Sequence, residues 1–421
     1  MAIGPDAIAM ELRTTSDGRT IVRMPVVSAV GPMLADAPIG YGDGVAASSC
    51  VCGGAHSAGC DCAFDSGCVG APSAFAPCSR ENLWVDLDFL LWWRDQRRFP
   101  ALVTQGDPGT LPSATVLFGG SVDETAQPGG RLEVGLWLDD RRWYGLGGHF
   151  VAVSDARVRL AADSANLGFL ARPFLNVAVS PPVQDALVVG NTETTAGQLD
   201  LTTGSKMLAS DFFVRWLLRR TARSRVDWLF GYQFARIDED LEVSSATQTV
   251  PDALSSIAVS DVFRTTNQYH AGHIGLKGEY RFGYWGLELL ARFGFGNMRQ
   301  QVVISGSTTA RDDTGTSTRA SGLLAQGTNS GTYVQNEFAF MEDVGVKLVY
   351  YPFDRLKLSV GYSLMYWTSV LRPGNTIDFG VDSRLLDNDP TNDSLATRPA
   401  FVFNPEDFYV HGLTLGLECR F

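Results

Sequence analysis

The sequence predicts an all-β protein, a transmembrane antiparallel up-and-down β-barrel of about 10 strands with long extracellular loops and short periplasmic turns. Three observations predict this fold. Apolar and polar residues alternate with the two-residue period of a pleated strand. No stretch approaches the ~18 uninterrupted apolar residues of a membrane helix, although 45% of the residues are hydrophobic and the mean hydropathy is +0.01. The connections between the predicted strands are alternately short and long.

Residues 1–82 are predicted to be a low-complexity, Cys-rich segment, largely disordered or periplasmic, before an outer-membrane barrel over residues 83–421. The segment contains six of the seven cysteines: Cys50, Cys52, Cys60, Cys62, Cys68 and Cys78. An even cluster of cysteines in an oxidising compartment predicts disulfides. The pairs have C-x-C spacing rather than the spacing of zinc ligands, so we expect no metal and no cofactor.

Each predicted barrel strand has an apolar face that suits lipid and a polar face that suits a lumen. In the first strand, 83–94, the apolar face carries Leu83, Val85, Leu87, Phe89, Leu91 and Trp93. The later strands are predicted at 131–139, 142–153, 206–220, from Arg225 onward, and at 267–282, 285–298, 338–351, 356–371 and 408–421. The strand at 142–153 is rich in glycine, and only Tyr144, Leu146 and Phe150 align its outward face.

The connections set the predicted topology. Short turns are expected near 139–142, 220–225, 282–285 and 351–356, and long loops over 95–130, 154–205, 239–266, 299–337 and 372–407. This asymmetry predicts periplasmic turns, outer loops and periplasmic termini. Residues 115–118 and 198–202 can form further strand, so twelve strands is the alternative count. A soluble cup with an apolar interior is disfavoured because aromatic residues cluster near strand ends, as in membrane interfaces.

The closing strand, 408–421, ends in Phe421, the position of the assembly signal of bacterial outer-membrane barrels. We therefore expect the barrel-assembly machinery and outer-membrane lipid among its partners. The net charge of −12 and a pI near 4.9 exclude nucleic acid as a partner, because its phosphates would be repelled.

The charged residues on the polar faces of the predicted strands are the candidates for lining the lumen or a pore. They are Asp86, Asp88, Arg94, Arg131, Glu133, Asp211, Arg215, Arg219, Asp227, Lys277, Glu279, Arg281, Glu288, Arg292, Asp343, Lys347, Lys357, Glu418 and Arg420. Acidic and basic members nearly balance. A barrel of about ten strands is narrow, so opposite charges are expected to pair across it rather than line an open channel.

Catalytic and ligand-binding motifs are weak. His270 and His411 are expected on the apolar face of their strands, and His273 is expected to face inward. None of the three has a convincing carboxylate partner, so we expect that the protein is not an enzyme. The oxygen-rich segment 387–393 favours a solvated turn over a calcium site. Arg372, where the last loop leaves its strand, is expected to shape the loop entrance.

Nine segments combine aromatic, glycine and polar residues in patterns that are jointly specific: 89–93, 116–120, 171–177, 231–239, 261–267, 295–297, 361–367, 370–375 and 416–421. Together they resemble the putative beta-barrel porin seven family over about residues 83–421. The resemblance implies a β-barrel in the bacterial outer membrane with a porin role, and it brings no catalytic residue set.

The predicted function is a narrow or gated porin for small solutes or ions. One alternative is a closed barrel that acts through its long loops as a cell-surface binding or envelope-structural protein. Another is a hydrolase at the outer rim. The predicted location is the bacterial outer membrane, with the N-terminal segment in the periplasm.

Overall fold

The computed structural model describes residues 11–14, 20–23, 82–122, 125–191, 193–251, 255–386 and 396–421. The chain divides into two compact units, Met1–Cys68 and Val69–Phe421. In the first unit, strands β1 (Glu11–Thr14) and β2 (Thr20–Arg23) pair antiparallel. The six clustered cysteines and segment 387–393 lie outside the described residues, so the disulfide and calcium hypotheses stay predictions.

Ten strands of the second unit form a closed antiparallel barrel, in which each strand pairs with the barrel strands before and after it and the last pairs with the first. These strands are β3 (Leu83–Arg94), β6 (Gln127–Trp137), β7 (Tyr144–Asp163), β10 (Thr195–Arg220), β11 (Ser224–Thr249), β12 (Ser256–Phe282), β13 (Trp285–Arg311), β15 (Gly331–Phe353), β16 (Leu356–Val370) and β18 (Glu406–Arg420). The predicted ten-stranded up-and-down barrel is confirmed. The alternative count of twelve is wrong, because residues 198–202 extend β10 and residues 115–118 lie outside the barrel.

The strands are strongly staggered. Following hydrogen-bonded partners from Arg94 once round the barrel leads back to Asn82 of the same chain segment, an offset of twelve residues. A stagger of this size tilts the strands by about 40° and leaves roughly 20 Å between opposite backbones. Side chains from opposite walls can therefore meet in the lumen.

An apolar belt surrounds the lower part of the barrel. On β13 the outward residues Trp285, Leu287, Leu289 and Phe295 are exposed, and Asn297 follows them. On β13 the belt runs from Trp285 to Phe295, which matches the 9–11 residues that a strand needs to cross a bilayer. No helix in the described part of the chain is long and apolar enough to cross a membrane.

Four strands continue far above the belt. Strands β10 to β13 are 26 or 27 residues long, and their upper outward positions include Arg236, Gln268 and Arg299. The predicted long loop at 239–266 is therefore wrong, since the β11–β12 connection covers only 250–255. Residues 154–163, 195–205, 299–311 and 331–337 were also predicted as loop and are strand. Above the membrane the outward face is polar, so the alternation that marks a lipid-facing strand disappears.

The remaining connections fold back onto the barrel. We call the described residues of 95–126, 164–194, 312–330 and 371–405 the cap. It contains β4 (Arg97–Gln105), β5 (Thr115–Val122), β8 (Leu170–Asn176), β9 (Val183–Gly190) and β17 (Gly380–Val381) in one sheet, β14 (Thr316–Arg319) paired to β13, helix α1 (Ser164–Leu167) and 3₁₀ turns at Pro373–Thr376 and Ser383–Leu386.

The cap has an apolar core in common with the upper barrel wall. Cap residues such as Phe99, Leu102 and Leu371 pack with wall residues such as Leu241 and Phe263, all 5% exposed or less. The upper lumen is therefore filled by folded chain.

Candidate functional site: the barrel lumen

The short-turn end of the lumen is closed by aromatic rings and guanidinium groups. Trp84 and Trp137 lie with ring centroids 4.7 Å apart. The guanidinium carbons of Arg215 and Arg225 lie 4.9 and 4.3 Å from the centroid of Trp137. Both arginines also bind Oδ2 of the fully buried Asp227 at 2.7 Å. Stacking and ion pairing together fix this lowest layer.

Above it, three lysines each bind two carboxylates on strands other than their own. The Nζ distances are 3.1 and 2.8 Å from Lys347 to Asp86 and Asp88, 3.5 and 3.3 Å from Lys277 to Glu133 and Glu288, and 3.1 and 2.9 Å from Lys357 to Glu279 and Glu418. These side chains are at most 16% exposed. Buried charges are stable only when paired in this way, so the lysines hold opposite walls together.

Arg292 completes the charged layer. Its Nη1 lies 2.5 Å from Asp211 Oδ2, and its Nη2 binds Asp343. His149 Nδ1 donates to the same Asp211 oxygen at 2.9 Å. His149 was not among the predicted lumen residues, because the glycine-rich strand 142–153 shows no clear alternation. The outward-facing Tyr144, Leu146 and Phe150 were the available signal, since His149 alternates with them and must face the lumen.

The predicted lumen residues can now be placed. All of them except Arg219 face the lumen or its rim, with Arg281 and Arg420 at the short-turn rim and Arg94 above the charged layer. Arg94 binds the carbonyl oxygens of Ser205 and, at 2.5 Å, Ser154. Arg219 is exposed, because a bulge between Leu217 and Arg219 changes the side of the sheet on which the end of β10 projects.

The charged layer leaves little free space. One cavity of about 30 Å³ is bordered by Asp88, Arg131 and His149, and another of about 20 Å³ by Trp84, Arg215 and Glu418. Each volume holds about one water molecule.

An apolar layer lies above the charges and is formed by the barrel strands themselves. It consists of Leu90, Trp92, Val151, Val153, Met207, Ala209, Ala235, Ile237, Tyr269, Ala271, Met298, Ala339, Met341, Met365, Trp367, Val370, Phe408 and Val410. All are 6% exposed or less. The uninterrupted apolar run at 89–93 was the available sequence signal, because consecutive apolar residues mean that both faces of a strand are covered.

Two buried charges fasten the cap to the wall. Arg372 is 2% exposed and binds Glu239 at 3.0 Å and Asp95 at 3.1 Å. Burial lowers the pKa of Arg372, but Glu239 and the nearby acidic groups outweigh it and raise that pKa above its usual value. Arg372 was expected to shape the loop entrance, and its contacts show that it lies inside the cap.

The second fastening is Asp261, which is fully buried on β12. It binds Arg172 of the cap and accepts backbone N–H groups from Leu324 at 3.0 Å and Ala325 at 2.7 Å. One wall carboxylate thus holds two cap segments.

The remaining predicted positions lie on the outside. Phe421 is 63% exposed at the short-turn end, and its backbone exchanges hydrogen bonds with Leu83 at 2.9 and 3.1 Å. His270 and His411 project outward and bind tyrosine hydroxyls. Within the described ranges, no group of three or more His, Cys, Asp or Glu side chains is placed to hold a metal ion.

The sequence model of a family described as Putative beta barrel porin-7 (BBP7) matches residues 84–421. This match confirms the resemblance drawn from the sequence and, with the closed barrel, points to the bacterial outer membrane. A comparison with curated proteins found no match.

Similar solved structures, at low identity, include a protease and two channels. The outer-membrane protease OmpT from Escherichia coli is 11% identical and covers 82% of this chain and 100% of its own, with a TM-score of 0.37. The CymD monoaromatic hydrocarbon channel is 10% identical over 83% of this chain and 91% of its own, with a TM-score of 0.18. The outer-membrane channel DcaP of Acinetobacter baumannii is 9% identical over 81% and 96%, with a TM-score of 0.17.

Proposed function

The chain belongs to the putative beta barrel porin-7 family, and we propose that in this member the barrel is closed and acts at the cell surface through its cap. In this role it is a binding or envelope-structural protein rather than an open diffusion channel. The observation that carries the proposal is the filling of the lumen by an aromatic layer, a charged layer and an apolar layer.

The side chains of the apolar layer belong to the barrel wall and not to the cap. Trp92, Met341 and Trp367 project from β3, β15 and β16, which are hydrogen-bonded strands of the wall. Displacing the cap would leave these side chains in place. A hydrated ion would still have to cross the apolar layer, where no water replaces its hydration shell.

The cap also offers a concave outer surface. A cavity of about 430 Å³ is lined by Asn375, Thr376, Ile377, Asp378, Arg398, Ala400 and Val402. Cavities that bind small molecules have about 300–1,000 Å³. Its charged pair, Asp378 and Arg398, and the exposed side chain of Val402 would give a ligand both polar and apolar contacts.

Conductance tests the proposal against its main competitor. The full chain, reconstituted in a planar bilayer, is expected to insert without producing current steps. The competitor is a gated porin, which is favoured by the indole N–H groups of Trp92 and Trp367 and the hydroxyl of Tyr269, all buried without a hydrogen-bond partner. Buried Trp and Tyr usually find partners, so these groups fit a layer that can repack. Voltage-dependent steps would favour the gated porin.

The proposal places the short turns and the N-terminal segment in the periplasm, because both ends of the barrel chain meet at the short-turn end. An epitope inserted after Asp313 should then be labelled on intact cells, whereas one inserted after Thr221 should not. The reverse pattern would invert the orientation. The rim-hydrolase alternative stays a prediction that protease and lipase assays test.

A further inference from the structure

We propose that the short-turn rim of the barrel carries a binding surface for anionic phospholipid headgroups, formed by arginines of three neighbouring turns. We call Arg141, Arg219, Arg220, Arg223 and Arg281 the arginine arc. It is a local concentration of positive charge on a chain whose net charge is −12.

The three turns are joined by backbone hydrogen bonds. Leu217 N donates to Trp143 O at 2.8 Å, which joins the β6–β7 turn to β10. Arg281 N donates to Arg223 O at 2.7 Å, which joins the β10–β11 turn to the β12–β13 turn. The arc is therefore continuous over adjacent turns.

Most of the arc has no acidic partner. Among the described residues, Arg141, Arg219 and Arg223 form no ion pair and are exposed. Arg220 is half-buried, and its buried Nε and Nη2 have no hydrogen-bond partner. Arg281 forms the lumen side of the arc: its side chain is 14% exposed, stacks on Tyr351 at 4.3 Å and lies 3.9 Å from Asp354. The surface available to lipid is therefore provided by Arg141, Arg219 and Arg223.

Three arginines of the outer wall provide a contrast. Arg157, Arg159 and Arg236 are also solvent-accessible, but each binds a neighbouring aspartate, at 3.1, 2.7 and 2.7 Å. Their charges are already paired, so they serve as a reference for the exposed arginines of the rim.

The acidic groups near the arc are few, and one is already engaged. Asp139 Oδ1 accepts the backbone N–H groups of Trp143 and Tyr144 at 2.8 and 2.9 Å, which fixes the turn. Asp140 is exposed beside Arg141. Asp227 is fully buried and paired to Arg215 and Arg225, so it does not neutralise the surface.

The height of the arc identifies the ligand. Trp143, Trp216 and Tyr280 are each 47% exposed beside the arc, and such amphipathic rings favour the headgroup depth of a bilayer. A guanidinium at that depth meets lipid phosphate, to which it can donate two parallel hydrogen bonds. Zwitterionic lipids compensate the phosphate with their own ammonium, so the arc should prefer headgroups with a net negative charge.

Lipid selectivity in vesicles tests the proposal. The full chain is reconstituted into phosphatidylcholine vesicles containing a minor fraction of phosphatidylglycerol, and quenching of rim tryptophans by brominated forms of each lipid gives their relative affinity. We expect a preference of about fivefold or more for phosphatidylglycerol at low salt, declining at high salt. A triple variant, Arg141→Gln, Arg219→Gln and Arg223→Gln, should lose it.

Two further variants separate charge at this place from other effects. Arg141→Lys, Arg219→Lys and Arg223→Lys keep the charge and should keep most of the preference. Arg157→Gln, Arg159→Gln and Arg236→Gln remove the same charge from the outer wall and should leave it intact. Equal quenching by both lipids in the unaltered protein would overturn the proposal, as would a preference that survives the rim glutamines.

Discussion

Leu289 and Val360 are the residues whose surroundings are most sharply defined. Both project outward near the middle of the apolar belt, with 51% and 47% of their surface exposed. Replacing either by Arg should destabilise the barrel by about 2–4 kcal/mol, the cost of a cation at the bilayer midplane. The free energy of unfolding in urea from lipid vesicles measures this cost.

Val334 supplies the matched control. It is 46% exposed on the same outward surface, but on β15 it lies opposite Gln301, beyond the pair of Phe295 and Phe340 at the upper edge of the belt. Val334→Arg should change the stability by less than about 0.5 kcal/mol, as is usual for exposed sites in water. Equal costs at Leu289 and Val334 would contradict the position of the belt.

Arg372 carries the second prediction. Arg372→Ala should destabilise the cap by about 3–5 kcal/mol, because Glu239, which is 2% exposed, would remain buried without its partner. Arg384 also pairs with an aspartate, Asp382, but its side chain is 37% exposed. Arg384→Ala should therefore leave the stability of the cap nearly unchanged, because ion pairs in contact with water contribute little. Limited proteolysis of the cap compares the two variants.

Asp378 makes the stability of the cap depend on pH. Burial acts to raise the pKa of its carboxyl, but the N–H groups of Arg398, Ala400 and Gly380 outweigh burial and hold that pKa below its usual value. The stabilisation is therefore complete above about pH 4 and is lost as the pH falls through the lowered pKa. Asp378→Asn should lower the melting temperature at pH 6 and have no effect near pH 2. A difference that persists at pH 2 would point to another cause.

For single residues, the inward position of most lumen charges was predictable from the sequence, because the two-residue period of a strand assigns each residue to one face. Arg219 was not, since a bulge is invisible in the alternation. The partners of each charge were also inaccessible: Lys347 and Asp86 are far apart in sequence and meet only across the closed barrel.

At the scale of elements, the strand segments inside the membrane and their four short turns were predictable. Lipid on one side and a polar lumen on the other impose the alternation that the sequence shows. The upper halves of β10 to β13 face water, and their inner faces cover the cap core, so the same pattern is absent. Loops were predicted there for lack of that signal.

The packing of the Pro373–Thr376 turn against β4 depends on close backbone contact. A Cβ added at Gly374 would lie 1.8 Å from Arg98 O, so Gly374→Ala should displace the Pro373–Thr376 turn and increase cleavage of the cap by protease. Gly327 has no atom within 4 Å of the corresponding position. Gly327→Ala should therefore leave the cleavage rate unchanged. Equal sensitivity of the two variants would mean that the turn is not held against β4.

At the scale of the whole molecule, the barrel is a wall sealed by its own side chains, with a cap whose core continues into the upper wall. Family membership and strand number were predictable from sequence. The apolar layer was not recognised as a barrier, because its residues come from nine separate strands and only closure of the barrel brings them together. The lumen charges alone left both a narrow pore and a closed barrel open.

Single-channel conductance of the full chain in a planar bilayer tests the central claim most directly. We predict a membrane-inserted barrel without current steps, because the apolar layer belongs to the wall and crosses the lumen. Reproducible steps from the unaltered protein would contradict the closed barrel and favour a gated porin.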